Sequence, residues 1–314
     1  LPSPVAYYVT VLTVGPLLGS FITEPAAMTL SALLLRLALG TMFVAHALLK
    51  VFVFTLPGTV QFFESLGLPA VGIYHTDFPQ YVRILTDDSF METLTWNYMH
   101  WFYSQLDIVY VNSEDYRTCW IERGIPSERL RILPRGLDSK LFHPTKRDRG
   151  FWTARGLREG EVGMLFVGRV SKEKNLDLIV SATRRLAEWR TPVRPIIVGD
   201  GPYMPELKRL LGDAIFTGYL GGEDLAKAYA SADLFAFPST TDTFGNVILE
   251  AQASGIPVIV SDVGGPRDLV ANGQDGFVTK ANDVADLANA IRQLADNPAL
   301  RASMGEAGRR RVED

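Results

Sequence analysis

One cysteine, Cys119, and four histidines occur in 314 residues. A lone thiol allows neither an intrachain disulfide nor a cysteine-based zinc site, which fits a reducing compartment. No cluster of metal-ligating residue types stands out, so neither a metal nor a resident cofactor is expected. Excess positive charge is missing too. The net charge of −4 gives no basic field for phosphate backbones, and no nucleic-acid partner is expected. Charge of either sign is scarce at the start: residues 1–70 hold only Glu24, Arg36, Lys50 and Glu64. Hydrophobic residues make up 47% and charged residues 21% of the chain, which suits a folded protein rather than a disordered one. The length allows two domains.

The first seventy residues are a region apart. "VAYYVTVLTVGPLLGSFIT", 5–23, carries no charge and approaches the roughly 20 residues needed to cross hydrocarbon. Gly15, Pro16 and Gly19 weaken it as a single helix. "MTLSALLLRLALGTMFVAHALLKVFVFTLPG", 28–58, is apolar around Arg36, His46 and Lys50, whose spacings of ten and four place them near one helical face. Two readings fit. In one, a membrane helix turns a polar stripe towards other helices, since a charge at mid-bilayer is costly. In the other, a buried soluble helix lets its long side chains snorkel. Residues 1–70 are therefore expected as apolar helices, with membrane contact through 1–60. No basic start precedes the first apolar run, which disfavours a cleaved signal peptide.

The texture changes at residue 71. "VGIYH" (71–75) and "DIVYVN" (107–112) are short, β-branched and bounded by polar residues, as buried parallel strands are. "RILPRG" (131–136) is a weaker third strand. Together these make less than a full doubly wound sheet, and 71–147 is expected as a partial first domain. "DRGFWTARGLREGE", 148–161, is polar and glycine-containing and is expected as a linker. From 162 to 314 the alternation is regular. Strands are expected at 162–168, 194–199, 214–218, 233–239, 257–262 and 276–278. Helices are expected between the first five of them, the last of these over 244–254, and two more close the chain at 283–296 and 298–311. Strands joined by helices of this length make right-handed crossovers and a parallel sheet. The expected fold class is α/β, with an apolar helical segment, a partial parallel-sheet domain and a complete one in that order.

Ligands of such sheets sit beyond the carboxyl ends of the strands. The loops there are "GRVSKEKN", "GDGP", "GYLG", "STTDTFGN" and "VGGPRD", all rich in glycine, charge or hydroxyl. Arg169 and Lys174 in the first suit a diphosphate, one as a planar fork and one as a point charge; pairing with Glu173 is the competing reading. Gly245 either lets a ligand approach the free amides of a helix start, an anion site, or merely breaks the chain before the helix. Asp242 and Glu250 are the only acids in the twenty-two residues from Ser239. They stand ~12 Å apart if the segment is helical throughout. A glycosidase pair flanks one bond at roughly 5–9.5 Å, so two jobs at opposite ends of an elongated ligand fit better. Glu250 lies in the apolar run "VILEAQA", where a carboxylate needs partners: ribose hydroxyls or an internal salt bridge.

The stretches "FVGRVSKEKNLDLIVSA", "VGDGP" and "FTGYLGGEDLAKAYASADLFAFPSTTDTFGNVILEAQASGIPVIVSDVGGPRDLV" resemble glycosyltransferase family 4, retaining enzymes of the GT-B fold. "YHTDFPQYV" (74–82) and "RGLDSKLFHP" (135–144) resemble the latter part of that family's first domain. The likeness runs from about 71 to 311. It implies two Rossmann-like domains across a cleft and a UDP- or GDP-sugar donor used without metal. It implies that Gly168, Arg169 and Lys174 hold the donor diphosphate and that Glu250 binds the ribose. Asp242, where the family usually has Glu, contacts sugar hydroxyls. Phe244, Gly245 and Asn246 offer amides, and backbone at Tyr219 and Leu220 frames the base. His75 faces the anomeric centre from the acceptor side with Asp77 close by, although a lone histidine is often structural. The acceptor implied is a lipid or cell-envelope glycan, and the location the cytoplasmic face of the cell membrane. Residues 33–70 resemble the first helix of DoxX-type membrane proteins, standing where family 4 has the strands and acceptor loop of its first domain. A donor-binding fragment without turnover, or a fusion to a DoxX-like segment, stays open beside a complete enzyme.

Overall fold

The computed structural model describes residues 60, 65–133, 136–148 and 150–313. The chain divides into two units, Leu1–Ala70 and Val71–Asp314. The apolar stretches expected to contact a membrane lie almost wholly outside the described residues. Among those described, no helix is long and apolar enough to cross a membrane.

The unit from Val71 contains two parallel sheets. The first has strands β1 (Val71–Tyr74), β2 (Ile108–Val111) and β3 (Leu130–Ile132), in that order. Helices α1 (Phe78–Thr86) and α2 (Ser89–Ser104) connect β1 to β2, and α3 (Glu114–Glu122) leads on towards β3. Local side chains set these helix ends. Asp77 accepts from the Gln80 amide, Asp88 from Phe90 and Ser113 from Tyr116, each satisfying a first-turn amide that has no helical partner. Asp87 turns left-handed at φ 52° to end α1, and the next residue, Asp88, caps the start of α2. The small core is aromatic. Tyr74, Tyr103 and Trp120 meet edge to face at centroid distances of 5.1–5.7 Å. Outward-facing Val71 and Ile73 of β1 stay about half exposed. The third strand is shorter than expected and ends at Ile132.

The second sheet has six parallel strands: β4 (Val162–Val167), β5 (Val193–Val198), β6 (Ile215–Gly218), β7 (Leu234–Phe237), β8 (Val258–Ser261) and β9 (Gly276–Thr279). Their spatial order is β6-β5-β4-β7-β8-β9. Every residue of β4, β7 and β8 is buried, as a sheet covered on both faces requires. The covering helices are α4 (Leu176–Glu188), α5 (Met204–Leu210), α6 (Gly222–Ser231), α7 (Asn246–Ala253), α8 (Val284–Asp296) and α9 (Pro298–Glu313). Strand order reverses at the β4/β7 pair. From β4 the chain builds outward to β5 and β6, then returns to β7 and builds the other way.

Two expectations need correction. Helix α7 begins at Asn246 rather than at residue 244, because Gly245 adopts φ +94° and leaves Phe244 in the loop. The 148–161 stretch also does more than link. Gly150–Thr153 forms a helical turn that buries Phe151 and Trp152, and the Trp152 indole donates to the Ala228 carbonyl at 3.1 Å.

Candidate functional site

Reversal of strand order leaves a crevice beyond the carboxyl ends of β4 and β7. A cleft of about 350 Å³ occupies it. The loop after β4 contributes Gly168, Arg169 and Lys174; the loop after β7 contributes residues 241–247; His75, Thr76 and Asn112 enter from the ends of β1 and β2. Of the expected site residues, His75, Gly168, Arg169, Lys174, Asp242, Phe244, Gly245 and Asn246 meet here.

The two basic side chains have different surroundings. Lys174 is mostly buried, with its Nζ 2.9 Å from both carboxylate oxygens of Asp242. The competing pairing with Glu173 is not made: Glu173 accepts from the Ser171 hydroxyl. Arg169 is exposed on the cleft wall, and among the described residues it makes no ion pair. The cleft therefore offers one uncommitted guanidinium and one ammonium already held by an acid.

The loop after β7 is braced from behind. Gly265 donates its amide to the Asp242 carbonyl at 2.8 Å. A Cβ at Gly265 would lie 2.1 Å from the Thr243 carbonyl oxygen, so only glycine permits that approach. Gly245, in the left-handed region, points the first turn of α7 at the cleft. Its value to the site is this backbone conformation as much as access for a ligand.

Glu250, Tyr219 and Leu220 do not line this cleft. Glu250 accepts from the Tyr229 hydroxyl at 2.8 Å, so its partner is a phenol and not a salt-bridging cation. Burial pushes its carboxyl above the ordinary range, against the opposing effect of that hydrogen bond. Tyr219 is 85% exposed. Leu220 lines a separate groove of about 520 Å³ with Arg155, Arg194 and Phe216. β6 lies two strands from β4, roughly 10 Å along the rim.

On the other side, His75 is exposed to the cleft and its Nδ1 is 2.9 Å from the Thr76 hydroxyl. Asp77 is absent from the cleft lining. It is buried, accepts from Tyr74 at 3.1 Å and Tyr116 at 2.8 Å, and caps α1. Burial raises its pKa more than these bonds lower it. Sequence reading passed over Asn112 and Thr243, both buried and both on the cleft wall. The signal was available, since each directly follows or shortly follows a strand end.

The family model for glycosyl transferases group 1 matches residues 152–311, half of the chain. The chain belongs to this family. Two other models match the start of the chain: a putative Na+/H+ antiporter over residues 1–56 and DoxX over 31–84. The DoxX match thus extends past residue 70 into α1. Sulfoquinovosyl transferase SQD2 of Arabidopsis thaliana is 32% identical over 263 residues, covering 82% of this chain and 51% of that protein. A GDP-mannose-dependent alpha-mannosyltransferase of Corynebacterium glutamicum is 35% identical over 250 residues, covering 77% and 56%. The chain spans about half the length of these curated relatives. Among solved structures, Anabaena HepE in complex with UDP and glucose superposes with a TM-score of 0.65 at 24% identity, over 82% of this chain and 70% of that one. Sucrose-phosphate synthase from Thermosynechococcus elongatus gives 0.65 at 24% identity, over 84% and 74%. These likenesses establish the fold as that of the GT-B glycosyltransferases.

Proposed function

We propose that the protein is a retaining glycosyltransferase that moves a sugar from a nucleoside-diphosphate sugar to an acceptor hydroxyl. The observation carrying this reading is the convergence of Arg169, Lys174 and the first turn of α7 on one crevice at the strand-order reversal. In this reading Arg169 takes the diphosphate first. Lys174 then leaves Asp242 for a phosphate oxygen, which frees Asp242 for sugar hydroxyls. The bond from the anomeric carbon to the diphosphate breaks as the acceptor oxygen bonds to that carbon from the same face. The acceptor's proton passes to the departing diphosphate. Two cations and the α7 amides match the leaving charge, which is electrostatic stabilisation without a metal. His75 faces the reacting carbon from the acceptor side. Gly168 lets the first loop follow the phosphates, and the amides of Phe244, Gly245 and Asn246 serve phosphate and sugar. Glu250 exchanges Tyr229 for ribose hydroxyls, and the backbone at Tyr219 and Leu220 lies farther along the rim towards the base.

Relatives named for GDP-mannose and a structure holding UDP support a UDP or GDP donor. A lipid or envelope glycan as acceptor extends the same reading, as does work at the cytoplasmic face of a membrane. A donor-binding protein without turnover is the second reading, favoured by the exposure of Val71 and Ile73 on β1 of the first sheet, which has three strands among the described residues.

Thermal-shift measurement with UDP, GDP and their sugars tests donor binding. A nucleotide at a hundred times its Kd stabilises the fold by about 2.7 kcal/mol. Arg169→Ala removes the shift. Absence of any shift with either nucleotide sinks both readings. A shift without consumption of any donor sugar in the presence of lipid or glycan acceptors selects the second.

A further inference from the structure

Thr243 occupies the cleft wall between Asp242 and Phe244, and its hydroxyl joins the two sheets. Its Oγ1 donates to the His75 carbonyl at 2.8 Å and accepts from the Asn112 side-chain amide at 2.8 Å. A hydroxyl has one proton to give and lone pairs to receive, so both roles are filled by one atom. Thr243 is 6% and Asn112 2% exposed. Water therefore has little access to the bridge, and its loss removes a buried hydrogen bond that solvent does not readily replace. His75 and Asn112 directly follow β1 and β2. Asp242, one residue before Thr243, holds Lys174. Gly265 clamps the Asp242 backbone from the far side. The chain around Thr243 is thus fixed from behind, and the bridge carries that fixity across the cleft to His75.

We propose that Thr243 is a positioning residue that sets His75 against the donor loop 242–246, with Asn112 holding the Thr243 hydroxyl in the donating orientation. This rests on the glycosyltransferase reading for what His75 does, but the positional coupling stands on the contacts alone. Among the described residues the His75 side chain has one hydrogen bond, with the neighbouring Thr76, so its backbone does much to locate the ring. A displacement of about 1 Å at such a group costs on the order of a hundredfold in rate.

The test uses the full chain with Thr243→Val, which keeps the shape and removes both hydrogen bonds, and Thr243→Ser, which restores the hydroxyl. Three readouts are taken: UDP and GDP affinity by calorimetry, kcat and KM for the consumed donor sugar, and amide hydrogen exchange of residues 74–77 without ligand. Expected for Thr243→Val are nucleotide affinity and donor KM within about threefold of the parent, kcat down by about tenfold or more, and faster exchange at 74–77. Thr243→Ser returns kcat and exchange towards the parent. A merely structural loss would raise exchange across the chain and leave the ratio of kcat to KM effects undivided. Unchanged kcat and unchanged exchange in Thr243→Val overturn the proposal. If the parent binds no nucleotide, the function proposed above falls, and exchange alone judges the bridge: equal rates at 74–77 in the parent and Thr243→Val overturn it.

Discussion

Glu250 lies in the interior of α7 with one carboxylate oxygen against the Tyr229 hydroxyl and, among the described residues, no ion-pairing cation. Burial favours its neutral form, so folding takes up a proton between the ordinary glutamate pKa and the raised one. The native state binds more protons in that window, and its stability falls as pH rises through it. Glu250→Gln removes this slope. The variant is expected to melt at or above the parent at neutral pH, with the difference vanishing as pH falls through the ordinary carboxylate range. It is also expected to lose about tenfold or more in nucleotide affinity if ribose hydroxyls are the functional partner. Melting curves across pH, with calorimetry, read both. Lys174, by contrast, is ion-paired with Asp242 at 2.9 Å. Lys174→Gln strands that carboxylate. A fully buried stranded partner costs about 3–5 kcal/mol, and the remaining exposure of this pair reduces that to about 1–3 kcal/mol. Adding Asp242→Asn should recover much of the stability but none of the transfer, where a loss of a hundredfold or more in kcat is expected. Denaturant titration and turnover of the single and double variants separate the two effects. Residue types and loop positions made Arg169, Lys174 and Asp242 readable in the sequence. The Lys174–Asp242 pairing was not, because the partners lie 68 positions apart on loops that only the sheet brings together.

At the scale of elements, short apolar runs located the nine strands found among the described residues, because a parallel strand covered on both faces must be such a run. Ends were harder. Gly245 was legible as a break, but only its φ of +94° shows why α7 starts at Asn246, two residues later than expected. A side chain there is strained, and its Cβ would lie 3.1 Å from Pro266 and 3.2 Å from Ile248. Gly245→Ala is expected to cost about 1–2 kcal/mol and to weaken nucleotide binding by turning the first amides of α7 away. Urea unfolding and calorimetry check the two parts. The 148–161 segment misled for a different reason: glycines and charges surround two aromatics whose burial no local pattern announces. Trp152 is 1% exposed and packs beside Phe151 at a centroid distance of 4.9 Å. Trp152→Ala is therefore expected to cost about 3–5 kcal/mol, far more than a substitution in a solvated linker, in the same urea experiment.

Across the whole Val71–Asp314 unit, no periodicity encodes how the carboxyl ends of the two sheets meet. That depends on contacts between residues more than a hundred positions apart: Asn112 to Thr243, Arg267 to Asp115 at 3.3 Å, and the Asp115 amide to Asp268 at 2.9 Å. The two sheets are also unequally built. Strands β4, β7 and β8 are buried throughout, whereas Val71 and Ile73 of β1 are 49% and 46% exposed and β3 has one buried residue. Local opening is least costly where few apolar contacts are lost. Amides of β1, β2 and β3 are therefore expected to exchange well before those of β4, β5, β7 and β8, with the aromatic cluster of Tyr74, Tyr103 and Trp120 the last part of the first sheet to yield. A nucleotide bound as proposed, bridging Arg169, Lys174 and the start of α7, would hold the 168–175 and 239–246 loops, and through Thr243 it would also restrain His75 and Asn112. Saturating UDP or GDP should accordingly slow exchange in both loops and, to a smaller degree, at the ends of β1 and β2, narrowing the gap between the sheets. Peptide-resolved hydrogen exchange with and without nucleotide measures this. Equal protection of the two sheets before nucleotide is added contradicts the packing argument, and slowing confined to the six-stranded side contradicts coupling across the cleft.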